Sequence, residues 1–282
     1  MNRVIKNISH LIPDKMYLKI MYYRHFHKKL NLNDPKTFNE KLQWLKLNDF
    51  HEDYVIMADK YRVKEYIANK IGNQYVVPLL GVWERSEDID LNRMPNKFVL
   101  KCNHDSHTVF VCNNKQNFDI NEIRKVLNVA LKKNGYWYGR ERPYKYIKPL
   151  IIAEEFLEEK GEKSLTDYKV LCFNGKAKVI EIHKGRFTDS YTQDFYSTSW
   201  EKLNISQEGS ASDHLLEKPL CFEKMIELSE TLSRDLKHLR VDWYIIDGKL
   251  YFGELTFYDG AGFVPFDNPE DDIYLGSLLR LE

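Results

Sequence analysis

The chain has 282 residues, of which 43% are hydrophobic and 30% are charged, and its 42 basic and 42 acidic residues give a formal net charge of zero. This composition is typical of a globular protein with one large or two modest domains. Because a neutral chain has no global field to attract a polyanion, we predict no nucleic-acid partner.

The sequence contains no apolar run long enough to span a membrane and no N-terminal apolar core before a small-residue cleavage site. Its four cysteines, Cys102, Cys112, Cys172 and Cys221, lack C-x-x-C spacing, which argues against a disulfide framework or a zinc site. We therefore predict a cytoplasmic protein in which these thiols are buried as small hydrophobes.

The N-terminal region is predicted to be helical. Residues 1–30 are basic with scattered large apolar side chains, which is typical of a helix with a solvated charged face and leaves open a membrane-surface or partner contact. Thr37 and Glu40 have capping-box spacing before an apolar stripe, and a further helix is predicted over Tyr54–Asn69. We assign residues 1–75 to this region.

Residues 76–155 are predicted to form a small α+β lobe. Its expected elements are strands over 97–101 and 108–112, a capped helix from Asp119 that stops at Gly135, and a central strand over 150–154. Lys101 ends the first strand before the turn 103–107. Its ammonium could reach a phosphate that the turn's N–H groups cradle, although a solvated lysine is the commoner use of such a position.

Two adjacent carboxylates, Glu154 and Glu155, follow the most apolar run of the chain. One of them is predicted to point inward, where a carboxylate can accept a hydrogen bond from an amine and the backbone beyond it can meet a purine edge. The alternative is an ion pair between one glutamate and a basic neighbour.

Residues 156–282 are assigned to a large lobe. Asn174-Gly175 is a strong turn signal between strands over 168–173 and 177–183, residues 185–219 are predicted to be a long loop, and a helical stripe runs from Met225 to Leu236.

Four charged side chains of the large lobe are candidate ligand-binding residues, and the three cations among them are candidate anion binders. Asp167 and Lys169 share a strand face, and Arg186 follows the hairpin. Arg186 and Arg240 suit a bidentate grip on a carboxylate or phosphate, although each could be a surface charge.

Acidic residues in the last predicted hairpin indicate a metal site. Glu254 and Thr256 share a strand face, and with Asp242 they would form the oxygen-rich set that Mg²⁺ prefers. A two-residue turn at Asp247-Gly248 would place Glu254 on the other face from Asp242, so this hypothesis requires a three-residue loop at Ile246–Gly248. The alternative is an ordinary hairpin exposed on one side.

The order of these segments resembles the ATP-grasp superfamily, in particular its TupA-like branch from polysaccharide and teichuronopeptide biosynthesis. The similarity extends from Asn33-Asp-Pro-Lys-Thr-Phe-Asn-Glu-Lys-Leu-Gln-Trp44, through Ala58-Asp-Lys-Tyr61, to Gly253-Glu-Leu-Thr-Phe257. Each piece is weak alone, whereas the ordered set is specific. The resemblance implies an α+β ATP-grasp fold, with two α+β lobes sandwiching a nucleotide after a helical N-terminal extension.

The resemblance also implies a role for each matching position. Lys60 and Lys101 correspond to lysines that contact ATP phosphates, and Ser106 lies in the phosphate-covering loop. The remaining matches are an adenine-binding hinge at Glu154, Glu155, Phe156 and Leu157, Mg²⁺ ligands at Asp242, Glu254 and Thr256, and an acceptor-side position at Arg240. Two positions depart from the family pattern. The covering loop is usually rich in glycine but here reads His104-Asp-Ser-His107, and Thr256 stands where many relatives have Asn.

The activity implied is an ATP- and Mg²⁺-dependent carboxylate–amine ligase that joins an amino acid or amine to a sugar acid of a cell-surface polysaccharide. Lys101, Arg186 and Arg240 are its expected catalytic cations. Three alternatives stay open: a sugar or small-molecule phosphotransferase, a non-catalytic nucleotide-binding partner, and a glycosyltransferase. The resemblance further leaves open peripheral association with membrane-bound assembly enzymes at the inner face of the cell membrane.

Overall fold

A computed structural model describes residues 9–159, 161, 164–186 and 188–282. Its α-helices are α1 (Asp14–Phe26), α2 (Phe38–Asn48), α3 (Asp53–Ala58), α4 (Val63–Lys70), α5 (Ile120–Ala130), α6 (Tyr136–Gly139), α7 (Phe222–Ser233) and α8 (Pro269–Leu278). Its strands are β1 (Leu79–Trp83), β2 (Phe98–Cys102), β3 (Val109–Cys112), β4 (Ile151–Glu155), β5 (Asp167–Phe173), β6 (Lys176–Lys184), β7 (Thr192–Ser197), β8 (Lys202–Leu203), β9 (His238–Ile246) and β10 (Lys249–Thr256). The chain is therefore α+β, as predicted.

A four-stranded antiparallel sheet has the order β1-β4-β2-β3. Strand β4 lies inside it because Ile151, Ile152 and Ala153 are fully buried, so neither face of this strand needs polar residues. Leu127 and Ala130 of α5 complete its core. Helix α5 starts at the predicted cap, where the Asp119 carboxylate accepts hydrogen bonds from two backbone N–H groups, but it ends well before Gly135.

A six-stranded antiparallel sheet has the order β10-β9-β5-β6-β7-β8. Helix α7 packs across β5, β6 and β9 on one face, where the Trp243 indole donates a hydrogen bond of 2.9 Å to Ser229 Oγ. Successive side chains of a strand point to opposite faces of the sheet. The apolar residues of these strands therefore face α7, and the residues that alternate with them place buried charged side chains on the opposite face. The division at residues 75 and 155 stays a prediction.

Two further predicted elements of the chain are wrong in extent. The helix expected over Tyr54–Asn69 is broken into α3 and α4 because the Asp59 carboxylate accepts hydrogen bonds from the N–H groups of Tyr61 and Arg62 and starts a new turn. The loop expected over 185–219 contains β7 and β8. Its polar composition was misleading, since Gln193 and Asp194 of β7 are buried with hydrogen-bond partners.

The capping box at Thr37 and Glu40 is present at the start of α2, as predicted. Helix α1 precedes α2, and its Tyr17 and Leu18 side chains pack in one cluster with Ala261 and Phe263. Of the basic segment predicted over residues 1–30, the first eight residues lie outside the described residues. Within the described part of the chain, no helix is both long and apolar enough to cross a bilayer.

Candidate functional site

The β9–β10 hairpin brings Asp242 and Glu254 to one face, but by a different route from the predicted one. The three-residue loop is wrong: Ile246 pairs with Lys249 across a two-residue turn in which Asp247 and Gly248 have φ values of 48° and 75°. The register instead shifts further along, between Phe252 and Leu255, so that two residues of β10 oppose Asp242 alone. This β-bulge turns Glu254 to the face of Asp242.

Gly253 occupies the other position of the bulge. A Cβ atom there would lie 3.1 Å from the Asp242 carbonyl oxygen and 3.3 Å from Asp242 Cβ. A larger residue would therefore crowd the strand that carries the carboxylate, and glycine lets the two strands stay close at this point.

Arg240 is the hub of the site. Its Nε and Nη2 atoms donate hydrogen bonds to Asp242 Oδ1 and Oδ2 at 2.7 and 2.8 Å, and Nη2 also donates to Glu254 Oε1 at 3.1 Å. Nη1 donates to Asp259, which follows β10. Lys169 Nζ lies 2.7 Å from Asp242 Oδ2. One guanidinium therefore joins three carboxylates, each from a different stretch of the chain.

Glu254 is ionised at neutral pH. Burial alone would raise its pKa, but Lys60, with Nζ 3.5 Å from Glu254 Oε2, and Arg240 lower the pKa to about 2. The Thr256 hydroxyl donates a hydrogen bond of 3.2 Å to Glu254 Oε1. Asp259 behaves in the opposite way, since burial raises the pKa of its carboxyl group despite Arg240.

The predicted metal ligands fit Mg²⁺ by the type and charge of their atoms, because two carboxylates and a hydroxyl share one face. Both oxygens of Asp242, however, already accept hydrogen bonds from Arg240. Across the described ranges, no group of three or more His, Cys, Asp or Glu side chains is placed to hold one metal ion. A cation at Asp242 would therefore compete with the guanidinium and the Lys169 ammonium for the carboxylate oxygens.

A second charged cluster lies on the small sheet. Glu154 points inward, as predicted for one of the two glutamates, and Glu155 is exposed. The Nζ atoms of Lys101 and Lys64 lie 2.5 and 2.7 Å from the two oxygens of Glu154, so the structure shows the ion-pair alternative. Burial would raise the pKa of Glu154, but Lys101 and then Lys64 lower it. Two lysines share one carboxylate and leave one surplus positive charge.

The other hinge positions continue outward from this cluster. Phe156 and Leu157 are half-buried, and Lys97 Nζ lies 5.6 Å from the centre of the Phe156 ring. A cavity of about 270 Å³ opens just beyond them and is lined by Glu159, Tyr168 and Ile245, among others.

The predicted covering loop is fixed at its start. Asn103 Nδ2 donates a hydrogen bond of 2.8 Å to Asp59, and His104 Nε2 lies 3.1 Å from the Ala130 carbonyl oxygen. Asp105 accepts hydrogen bonds from its own loop, including the Thr108 hydroxyl at 2.7 Å, which outweigh burial and lower its pKa. Ser106 is exposed and lies near the half-buried Tyr144, and burial raises the pKa of the Tyr144 hydroxyl.

The sequence of residues 40–280 matches the model of the family described as TupA-like ATPgrasp. The chain belongs to the TupA-like ATP-grasp family. The predicted family and its α+β ATP-grasp fold are thereby confirmed.

Solved structures of ATP-grasp proteins are similar at low identity. A D-alanine–D-alanine ligase from Bacillus anthracis, in complex with ATP, is 16% identical with a TM-score of 0.41 over 72% of this chain and 54% of its own. A D-alanine–D-alanine ligase from Helicobacter pylori is 16% identical with a TM-score of 0.45, and the match covers 86% of this chain and 69% of the ligase. A biotin carboxylase from Campylobacter jejuni is 12% identical with a TM-score of 0.44, and the match covers 82% of this chain and 48% of the carboxylase. No curated protein matches the chain.

The remaining predicted residues of this ATP-grasp chain lie on the polar face of the six-stranded sheet. Asp167 is buried, and Arg186 Nη1 donates a hydrogen bond of 3.2 Å to it, so Arg186 is tied to β5 and not to the Arg240 hub. Lys169 is also buried. Burial and Arg240 favour its neutral form, but Asp242 and Asp167 raise its pKa.

The same polar face contains a buried chain of hydrogen bonds that the sequence analysis missed. His183 Nε2 lies 2.6 Å from Glu181 Oε1, His183 Nδ1 lies 2.6 Å from the Tyr191 hydroxyl, and Gln193 Nε2 donates to Glu181 Oε1 at 2.7 Å. Glu181 pairs across the strands with Lys169. The available signal was the alternation of Glu181 and His183 with apolar residues in β6, which indicates that both point to one face. Lys64 and Asp259 had no comparable signal.

Proposed function

We propose that this ATP-grasp protein is an ATP- and Mg²⁺-dependent carboxylate–amine ligase. The observation that carries the proposal is the Arg240 hub with its three carboxylates, on the same face as Lys169 and Lys60. Such a set of fixed charges can stabilise the charge that moves when a phosphoryl group is transferred.

The lysines are the proposed phosphate ligands. Lys64 and Lys101 share Glu154, so their surplus positive charge is available to an anion without a large conformational change. Lys60 lies beside Glu254 and would contact a further phosphate oxygen. The N–H groups and the Ser106 hydroxyl of the loop 103–107 would contribute further hydrogen bonds.

Asp242, Glu254 and Thr256 are the proposed Mg²⁺ ligands. A bound Mg²⁺ would neutralise phosphate oxygens during transfer. The low pKa of Glu254 supports this role, because the carboxylate is charged whenever the enzyme would be active. Arg240, released in part from Asp242, would be free to hold the carboxylate that attacks the γ-phosphate and displaces ADP. An amine would then attack the acylphosphate carbonyl, forming an amide and releasing phosphate.

A sugar acid is the proposed carboxylate substrate, and an amino acid or small amine the second substrate. A cavity of about 410 Å³ at the end of β6 supports the sugar assignment, since Lys184, Thr188, Ser190, Thr192 and Ser212 line it with an ammonium and hydroxyl groups. These groups can bind sugar hydroxyls and a carboxylate. The site of action, in the cytoplasm beside membrane-bound polysaccharide assembly enzymes, is part of the same proposal.

Calorimetric titration with ATP and Mg²⁺ tests the site. Lys101→Ala and Glu254→Gln should each weaken binding by at least about tenfold. Lys176→Ala is the matched control, because this lysine pairs with Glu230 at the exposed surface. Unchanged affinity in both site variants would overturn the assignment of the site.

Turnover separates the candidate functions. We expect ADP and phosphate only when a uronic acid and an amine from an amino-acid pool are both present. A phosphorylated sugar formed without amine would identify a phosphotransferase, and preference for a nucleotide sugar over ATP would identify a glycosyltransferase. ATP binding without turnover of any of these substrates would identify a non-catalytic nucleotide-binding protein.

A further inference from the structure

Helix α1 has an apolar stripe on its outward face. Met16, Ile20 and Tyr23 are 58%, 44% and 57% exposed, and Leu11, just before the helix, is 82% exposed. The spacing of three to four residues places the helical members on one side. The buried face of α1 is separate and packs against the rest of the chain through Tyr17, Leu18, Met21 and Tyr22.

Basic side chains accompany this stripe. Lys15 and Lys19 are exposed and lie one residue before Met16 and Ile20. Residues 9–33 contain five Lys or Arg and one acidic residue, Asp14, in a chain whose overall net charge is zero. Asp14 is already neutralised, since its carboxylate accepts a hydrogen bond of 2.6 Å from the Tyr136 hydroxyl and lies 3.3 Å from Arg140 Nε.

The helix is held firmly. The Arg140 guanidinium lies 4.3 Å from the Tyr17 ring centre and 4.7 Å from that of Trp137, and the Tyr17 hydroxyl donates a hydrogen bond of 2.9 Å to the Tyr138 carbonyl oxygen. Tyr138 itself is well exposed. The apolar stripe is therefore a fixed feature of the folded surface, and the buried face of α1 is not available to exchange places with it.

We propose that this face of α1 docks on an anionic lipid bilayer. Apolar side chains flanked by lysines, with an interfacial tyrosine, match a surface of acyl chains beneath negative headgroups. A second copy of the chain fits less well, because a symmetric contact would set one lysine-bearing face against another. A convex helix face that lines neither described cavity suits a fluid planar surface better than a shape-specific protein partner.

In the docked orientation, α1 would lie between the membrane and the segment that contacts the Arg240 hub. Helix α1 packs on Ala261 and Phe263, and the same segment begins with Asp259, which contacts Arg240. The lipid interaction does not depend on the proposed ligase activity, because it rests on the surface of α1 alone.

Co-sedimentation of the full chain with vesicles tests the proposal. We expect binding to equimolar phosphatidylcholine and phosphatidylglycerol, little binding to phosphatidylcholine alone, and release at high salt. Met16→Asp/Ile20→Asp and Lys15→Glu/Lys19→Glu should each lower the partition coefficient by at least about tenfold. Their matched controls, Val126→Asp/Val129→Asp and Lys132→Glu/Lys133→Glu, make the same changes at exposed positions outside α1 and should bind like the unaltered chain.

Each other outcome would overturn the docking proposal. Failure of the unaltered chain to bind anionic vesicles excludes it, and equal binding to neutral vesicles removes the role of the lysines. Equal losses in the control variants would show that the effect is not specific to α1. A dimer in sedimentation velocity that the α1 variants dissociate, without vesicle binding, would assign the stripe to a second copy. Circular dichroism of all four variants checks that they are folded, and none of these measurements requires catalytic turnover.

Discussion

The ion pair between Lys169 and Asp242 can be tested by a double-mutant cycle. Asp242→Asn keeps the shape of the side chain but removes the charge that three N–H donors share, two from Arg240 and one from Lys169. Both partners of the Lys169 pair are almost fully buried. Removing one partner of a buried pair leaves an uncompensated charge, so we expect the free energy of unfolding to fall by about 3–5 kcal/mol.

Lys169→Met should cost less, about 1–3 kcal/mol, because Asp242 keeps the hydrogen bonds from Arg240. In the double variant the two losses should overlap, so that the total is smaller than the sum by at least about 1 kcal/mol. Urea denaturation measures all three values. Lys176→Met, in an exposed pair on the same sheet, is the control and should change stability by less than about 1 kcal/mol. Losses below about 1 kcal/mol for Asp242→Asn, or strict additivity, would refute the buried ion pair.

Three further changes have defined outcomes. Burial lowers the pKa of His238 from 6.5 to about 3. The contribution of this group to stability is therefore complete above pH 6.5 and is lost progressively as the pH falls towards 3, because the unfolded chain binds a proton that the folded chain does not. His238→Asn, which keeps a donor for the Cys172 carbonyl, should flatten the dependence of unfolding free energy on pH in that window. Gly276→Ala would place a Cβ atom about 2.2 Å from the Lys36 carbonyl oxygen, and we expect chemical denaturation to show a loss of at least about 2 kcal/mol. Glu154→Gln removes the negative charge that Lys64 and Lys101 share. Inorganic triphosphate should therefore raise the melting temperature of the variant more than that of the unaltered chain, and an equal rise in both would contradict the shared ion pair.

Two turn signals show what the sequence could and could not specify. Asn174-Gly175 and Asp247-Gly248 both form two-residue turns with positive φ, as their residue types require. The turn residues did not reveal the bulge at Gly253, because a bulge depends on how the facing strand and its neighbours pack. The sequence therefore predicts correctly that Asp242 and Glu254 share a face, but it attributes this to a three-residue loop, whereas the bulge is responsible.

Buried polar residues set the other limit. Glu181 and His183 were missed, and β7 was predicted to be loop, because charged and polar side chains ordinarily indicate exposure. Here both side chains are buried with partners outside β6, Gln193 for Glu181 and Tyr191 for His183. Partners distant in sequence cannot be found from local pattern. By contrast, the Thr37 capping box involves only neighbouring residues and was predicted correctly.

The charges of the two clusters bear on the order in which ligands bind. In the large-sheet cluster, three cations, Arg240, Lys169 and Lys60, are joined by direct ion pairs to three carboxylates, Asp242, Glu254 and Asp259, so the charges of these six groups balance.

A metal ion alone would either add positive charge to this buried set or displace one of its cations without giving it a new partner, and both are unfavourable. A nucleotide changes this balance, since its phosphates can take over the displaced cations while the small-sheet cluster of Lys64, Glu154 and Lys101 supplies a surplus positive charge. Mg²⁺ should therefore bind weakly by itself and much more tightly with ATP, and ATP should gain affinity from Mg²⁺ by the same factor. Calorimetric titrations of each ligand with and without the other measure this coupling. Equal Mg²⁺ affinity in the presence and absence of ATP would show that the carboxylates are not held by the cations in the way that their contacts indicate.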